Sequence, residues 1–170
     1  NDFLESCIPT ETKFTFEVNS IGSNEDRVKF NKDLVNFLEV HKDKLSEDSL
    51  KRLEKNPTRI LDSKDSKDLE ILIDAPKLSE YRSDTSSDSY EKIISMLSDA
   101  KISYKENPLL VRGLDYYNDF TFEIVPNDSN GSQDALGGGG QYDKLSTLLE
   151  GKEINGIGVA FGVDRIMDLY

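Results

Sequence analysis

Hydrophobic and polar positions follow one period at the two ends of the chain and another across its middle. Phe14, Phe16 and Val18 alternate with Lys13, Thr15, Glu17 and Asn19, which predicts a strand with one buried face. Residues 1–12 before it show no clear period, and turn chemistry over residues 19–24 closes it. From Asn24 the period lengthens. Val28, Leu34, Val35 and Leu38, with Phe30 and Phe37 nearby, form a broad apolar stripe at helical spacing, and Ser23 or Asn24 is available as its cap. A second, short helix is predicted from near Ser46, carrying Leu50 and Leu53 and stopped by Asn56-Pro57. Leu69, Leu72 and Ile73 predict a third that ends before Pro76. A fourth carries Tyr90, Ile93, Ile94 and Leu97, with capping-box spacing at Asp88-Ser89-Tyr90-Glu91. Alternation returns at Ser103-Tyr104 and again from Phe120 to Val125, where Pro126 and a polar turn end it. Leu145 to Leu149 is helix-like. Ile157, Val159 and Phe161 predict a last strand, which Gly162 turns into a helix bearing Arg165.

This pattern predicts an α+β chain: strand-bearing segments 1–23 and 107–170, with a compact helical lobe over 24–106 between them. A length of 170 residues suits one domain, or a core with a small second lobe. The net charge of -12 argues against a general binder of nucleic acid, because neutralising phosphates requires clustered cations. The distribution is uneven: residues 24–106 hold 16 of the 21 Lys/Arg and 19 of the 33 Asp/Glu. Any contact with RNA is therefore expected from the lobe. With Cys7 alone no intrachain disulfide forms, which fits a reducing compartment. His41, the single histidine, falls late in a helix and reads as a surface residue, so no zinc spacing exists and no metal site is predicted. No apolar run approaches the roughly 20 residues of a membrane span, and no signal peptide is visible. The chain opens on Asn1 and stops inside an apolar helical pattern at Met167–Tyr170, which suggests a piece of a longer protein.

The densest chemistry lies in Leu110-Val111-Arg112-Gly113-Leu114-Asp115-Tyr116-Tyr117, running on to Phe120-Thr121-Phe122-Glu123. An arginine in a turn beside a strand can hold a phosphate or carboxylate with two parallel hydrogen bonds, and paired tyrosines supply flat walls and hydroxyls. The plainer alternative is an arginine paired with Asp115 and two core tyrosines. Downstream, Gly137 to Gly140 would let backbone pass close to a ligand or another strand, or form a flexible loop. Arg165, on the first turn of a helix after a strand and a glycine, faces the strand ends. There it could meet a triphosphate, or pair with Asp164 or Asp168.

Leu110 to Tyr117 with Phe122-Glu123 resembles the histidine-specific motif of histidyl-tRNA synthetases, which are class II aminoacyl-tRNA synthetases. Gly138-Gly139-Gly140-Gln141-Tyr142-Asp143 is similar to their second histidine motif, and Gly156 to Arg165 to class II motif 3. Residues 18–23 and Asn56-Pro57-Thr58-Arg59-Ile60-Leu61-Asp62-Ser63-Lys64 are similar to the family's insertion region. The resemblance spans nearly the whole chain, in register. It implies an antiparallel catalytic sheet with flanking helices over 1–23 and 107–170, and a helical insertion domain over 24–106.

The family activates L-histidine with ATP to histidyl-adenylate and pyrophosphate, then transfers the histidyl group to the 3′ end of tRNA(His). By resemblance, Arg112 contacts the histidine carboxylate and the α-phosphate. Tyr116, Tyr117 and Tyr142 line the histidine pocket, with Gly138, Gly139 and Gly140 as its backbone wall. Arg165, Gly162 and Arg112 serve ATP, with Mg2+ accompanying the nucleotide. Lys51, Arg52, Lys55 and Arg59 are the densest candidates for tRNA contact. A homodimeric, cytoplasmic full-length parent is implied, with an organellar location as the alternative and no membrane association. Gln141 stands where the family usually has arginine, and Asp164 where it usually has glutamate. Motifs 1 and 2 and an anticodon-binding domain are not present, so the chain alone is not expected to aminoacylate. Two rivals share parts of the pattern: the regulatory subunit of ATP phosphoribosyltransferase, and a non-catalytic synthetase-like domain that senses histidine or tRNA.

Overall fold

A computed structural model of the chain describes residues 6–111, 116–127 and 135–170. The alternating segments form one five-stranded sheet. Its strands are β1 (Phe14–Ser20), β2 (Tyr104–Glu106), β3 (Asn118–Pro126), β4 (Gly137–Gln141) and β5 (Ile157–Phe161), in the order β2-β1-β3-β4-β5. β1 pairs antiparallel with β3 over its whole length, from Phe14 opposite Pro126 to Ser20 opposite Phe120. β3 to β4 and β4 to β5 are antiparallel as well. The sheet is antiparallel as expected except at one edge, where β2 runs parallel to β1 because the helical segment carries the chain back to the same end before it re-enters. Between Asn118 and Thr121 the register of β3 shifts, and Asp119 at φ 51° forms the irregularity. Backbone bonds Ile21 N to Asp119 O (2.6 Å) and Asp119 N to Gly22 O (3.1 Å) tie this bend to the end of β1.

Helices α1 (Asn24–Val40), α2 (Glu47–Lys55), α3 (Ser66–Leu72) and α4 (Asp84–Asp99) follow β1, joined by 3-10 turns at Lys42–Lys44, Pro57–Ile60 and Leu78–Glu80. α5 (Leu145–Leu148) and α6 (Val163–Met167) flank β5. Phe30, Leu34 and Leu38, one turn apart along α1, are fully buried and pack with Leu53, Ile60, Leu61, Ile71, Leu72 and Leu78. Ile21 and Tyr117 belong to the same cluster, so the helical core is continuous with the sheet at the base of the tyrosine pair. α4 lies on the sheet through Tyr90, which packs with Val18 and Phe120. Burial, and then the charge of Glu106, push the Tyr90 phenol well above its ordinary range; it stays protonated and donates to Glu106 Oε2 at 3.0 Å.

Two buried aspartates join helix starts in pairs. Asp26, at the third position of α1, accepts from the Ser23 amide (3.0 Å) and from the hydroxyls of Ser83 (3.3 Å) and Ser86 (3.2 Å), the cap and third position of α4. Asp68, at the third position of α3, does the same for α2. It accepts from the Ser46 amide (2.8 Å) and the hydroxyls of Ser46 (2.7 Å), Ser49 (2.6 Å) and Ser63 (2.5 Å). Burial acts to raise both carboxyl pKa values, yet the donated amide and hydroxyl hydrogen bonds outweigh it and hold both below the ordinary aspartate range.

These carboxylates explain three departures from the hydrophobic pattern. Val28 is 70% exposed, because Asp26 takes the core-facing position one turn before Phe30. Leu69 (42%) and Ile73 (74%) face outward while Asp68, Ile71 and Leu72 are buried. α4 starts a turn before the expected cap at Asp88, on Ser83, whose side chain accepts from the Ser86 amide. His41 ends α1, with its ring 4.5 Å from that of Phe37. Among the described residues, no helix is long and apolar enough to cross a membrane, and no group of three or more His, Cys, Asp or Glu side chains could hold a metal ion.

Candidate active site

Strand β4 is almost entirely glycine, and the absence of side chains is what allows β5 to approach it. A Cβ on Gly139 would lie 1.9 Å from the carbonyl oxygen of Gly158. The glycine run is therefore a sheet strand rather than a loop. From Gly137 to Gly140 it covers about 10 Å, at ~3.4 Å per residue, and it has a different neighbourhood at each end.

Three tyrosines stand at its Gln141 end. The rings of Tyr116 and Tyr117 are 4.6 Å apart, and Tyr142 meets them edge-on at 5.9 and 6.2 Å. Tyr117 is buried, and its carbonyl accepts from Arg27 Nη1 at 2.5 Å. The Tyr142 ring rests on the backbone of Gly156 and Gly158: Cβ atoms there would fall 2.5 Å from its Cε2 and 2.6 Å from its hydroxyl. Asp143 fixes this corner. It accepts from the Gly156 amide (3.1 Å), from Asn118 Nδ2 (3.3 Å) and from Gln141 Nε2, and its own amide donates to Asn118 Oδ1 (2.8 Å). Gln141 thus uses its amide to hold Asp143, where an arginine would bring a second charge.

At the other end, Gly137 and Gly138 line a cleft of about 1040 Å³ together with Ala160, Phe161, Gly162 and Arg165. The helical segment forms the opposite wall, with Arg52, Arg59, Ser63, Lys64 and Lys67. Arg165 donates from Nη1 to the Ala135 carbonyl at 2.7 Å and, among the described residues, forms no ion pair with Asp164 or Asp168. Arg52 bridges Asp48 (3.0 Å) and the carbonyl of Arg59 (2.9 Å), and Lys64 lies 3.7 Å from Asp62. The lining also carries Glu47, Asp48, Asp62, Asp65 and Glu123, so its charges are mixed, and Gly137 and Gly138 leave room beside Arg165 and Arg59 for an anion.

The structure brings together Tyr116, Tyr117 and Tyr142, and joins them through Gly138, Gly139 and Gly140 to Gly162 and Arg165. Arg112, Gly113, Leu114 and Asp115 lie outside the described residues. The four cations expected to contact tRNA do not all line one cavity. Arg52 and Arg59 line the cleft, Lys55 lines a separate groove beside Arg27 and Val111, and Lys51 lines neither. Sequence reasoning did not single out Asn118 and Asp143 as the support of Tyr142, nor Lys64 and Lys67 in the cleft wall. Two signals were available: Asp143 directly follows Tyr142, and Lys64 closes the Asn56–Lys64 stretch.

A sequence model described as "Histidyl-tRNA synthetase" matches residues 31–166. The histidine--tRNA ligase of Wolbachia pipientis wMel is 47% identical over 153 residues, covering 90% of this chain and 37% of that protein. The histidine--tRNA ligase of Neorickettsia sennetsu is 43% identical over 152 residues, covering 89% of this chain and again 37% of the relative. The structure of apo S. aureus histidyl-tRNA synthetase superposes with a TM-score of 0.65 at 31% identity, over 92% of this chain and 37% of that one. The chain therefore spans little more than a third of the length of the curated relatives it matches.

Proposed function

The chain belongs to the histidyl-tRNA synthetase family, and from that premise we propose that it carries amino-acid and nucleotide pockets of a histidine–tRNA ligase. The observation that carries this reading is the glycine strand β4, which joins a tyrosine cluster to the cleft holding Arg165 and Arg59 over about 10 Å. That separation suits histidine and ATP bound side by side, with an imidazole among the tyrosines and phosphates in the cleft. The reaction needs no covalent enzyme intermediate. Histidine's carboxylate attacks the α-phosphate of ATP, the bond to the β-phosphate breaks, and pyrophosphate leaves. The histidyl group then passes to the 3′-terminal ribose hydroxyl of tRNA(His), releasing AMP.

Catalysis of this kind rests on positioning and on cations aimed where phosphate charge develops. In this proposal Arg112 holds the histidine carboxylate and the α-phosphate. Tyr117 and Tyr116 wall the imidazole, and Tyr142 closes the pocket from the side. Gly138, Gly139 and Gly140 admit the ligand backbone. Arg165, at the mouth formed by Gly162, faces the nucleotide, which enters as its Mg2+ complex. Lys51 and Lys55, outside the cleft, remain candidates for the tRNA backbone. We assign residues 1–23 and 107–170 to the catalytic core and 24–106 to the inserted helical domain of a cytoplasmic, homodimeric parent.

The test is histidine-dependent exchange of pyrophosphate into ATP by the full-length protein. The expected result is exchange with L-histidine and none with other amino acids, followed by charging of tRNA(His). Absence of exchange, with histidine still bound, would refute the ligase reading in favour of a histidine sensor or regulatory subunit.

A further inference from the structure

The cleft has a wall that the sheet motifs do not supply. It comes from the turn Asn56–Ser63 of the helical segment, and several anchors hold that turn. Ile60 and Leu61 are buried in the helical core beneath it. Arg52 Nη1 holds the Arg59 carbonyl at 2.9 Å, and the Arg59 amide donates to the Asn56 carbonyl at 3.1 Å. At the far end, the Ser63 amide donates to the Ile60 carbonyl at 2.9 Å, and the Ser63 hydroxyl to the buried Asp68 carboxylate at 2.5 Å. Out of this fixed backbone the Arg59 side chain projects, exposed, into the same cleft as Arg165.

Several carboxylates of the lining are already engaged: Asp48 by Arg52, Asp62 by Lys64, and Asp65 by the Lys67 amide it caps. Arg59 forms no ion pair among the described residues. A guanidinium on a rigid turn, lining the same cleft as a second guanidinium and the glycines Gly137 and Gly138, suits an extended anion with several oxygens. We propose that Arg59 is a nucleotide-binding residue that contacts the polyphosphate of the bound nucleoside triphosphate from the side opposite Arg165. This rests on reading the cleft as the nucleotide site. It gives the helical segment a part in the first reaction step, in addition to any contact with tRNA.

The experiment uses the full-length protein and the variants Arg59→Ala, Arg59→Lys and Arg165→Ala, with Lys77→Ala, an exposed lysine away from the cleft, as control. Arg59→Ala should raise the KM for ATP in pyrophosphate exchange by about tenfold to a hundredfold, the usual effect of losing a hydrogen bond between charged groups. The KM for histidine should stay unchanged. So should the affinity for a non-hydrolysable histidyl-adenylate analogue, which has no β- or γ-phosphate. Arg59→Lys should recover part of the loss, and Lys77→Ala should behave as the unsubstituted protein. The proposal is overturned if Arg59→Ala leaves the KM for ATP unchanged and slows only transfer to tRNA. It is equally overturned if the adenylate analogue is weakened as much as ATP, which would mark a general distortion. If Arg165→Ala is also silent towards ATP, the reading of the cleft itself falls; a silent Arg59→Ala beside a responsive Arg165→Ala removes only the role of Arg59.

Discussion

Replacing Asp68 tests whether a buried carboxylate holds the helical segment together. Its side chain is fully buried and receives the Ser46 amide and three serine hydroxyls at 2.5–2.8 Å. Hydrogen bonds to a charged group contribute roughly 1.5–3 kcal/mol each, though not additively, and the freed hydroxyls can partly re-pair. Asp68→Ala should therefore cost about 3–5 kcal/mol, because one amide and three hydroxyls lose their shared acceptor at once. Against a typical total stability of 5–15 kcal/mol this is a large share. With a urea slope of about 2 kcal/mol per molar, the midpoint should fall by roughly 2 M. Asp68→Asn keeps the shape and should cost about half as much. pH supplies a second check. The folded carboxyl pKa lies below the ordinary 3.8, so its contribution is fully present above that value and is lost as pH falls through the lower folded value. The stability gap between the unsubstituted chain and Asp68→Asn should shrink between about pH 5 and pH 2. Urea unfolding followed by circular dichroism at several pH values measures both. A cost below about 1 kcal/mol for Asp68→Ala, or a gap independent of pH, would refute the reasoning.

Other outcomes follow from the site. Gly139→Ala should destabilise the fold by more than about 3 kcal/mol, because the new methyl meets backbone of β5 at 1.9 Å and the strands must part; thermal unfolding measures this. Gly158→Ala meets the Tyr142 hydroxyl at 2.6 Å, a side chain that can swing away, so it should raise the KM for histidine more than that for ATP in the full-length protein while the unfolding midpoint barely moves. Arg112→Ala in the same protein should slow adenylate formation by about 3–4 kcal/mol of barrier, read by single-turnover kinetics, with folding retained.

Where hydrophobic period alone decides an element, the sequence was a good guide: the alternation at Phe14–Val18 and Phe120–Val125 became β1 and β3, and Ile157–Phe161 became β5. It misled where a polar residue took a core position. Counting apolar residues put Val28 in the stripe of α1 and Leu69 and Ile73 in that of α3. An aspartate looks like a solvated residue until its donors are known, and the two hydroxyls that donate to Asp26 lie 57 and 60 residues away. The glycine run was ambiguous for a related reason. Whether four glycines form a loop or a strand depends on Gly158 and Ala160, which pair with them across β4 and β5. The tyrosine cluster could be assembled only because Tyr116, Tyr117 and Tyr142 fell in motifs that resemble one family's. Their spacing along the chain does not bring them together; the pairing of β3 with β4 does.

Both buried aspartates use the same construction, and it has a consequence for the site. In each case a carboxylate at the third position of one helix takes the hydroxyls of a Ser-x-x-Ser cap that opens another, so two helix N-termini share one negative charge. The Asp26 clasp also reaches the sheet, since the Ser86 hydroxyl lies 2.8 Å from Asp119 at the bend of β3. It therefore holds the beginning and the last helix of the helical segment against the strand that leads from Tyr117. The Asp68 clasp joins α2 and α3 and fixes Ser63, at the end of the turn that carries Arg59 above the cleft. One clasp orients the segment on the sheet and the other shapes the wall that faces Arg165. Because each relies on serine hydroxyls as much as on the carboxylate, Ser46→Ala should reproduce a fraction of the Asp68→Ala loss, and the two losses should combine less than additively.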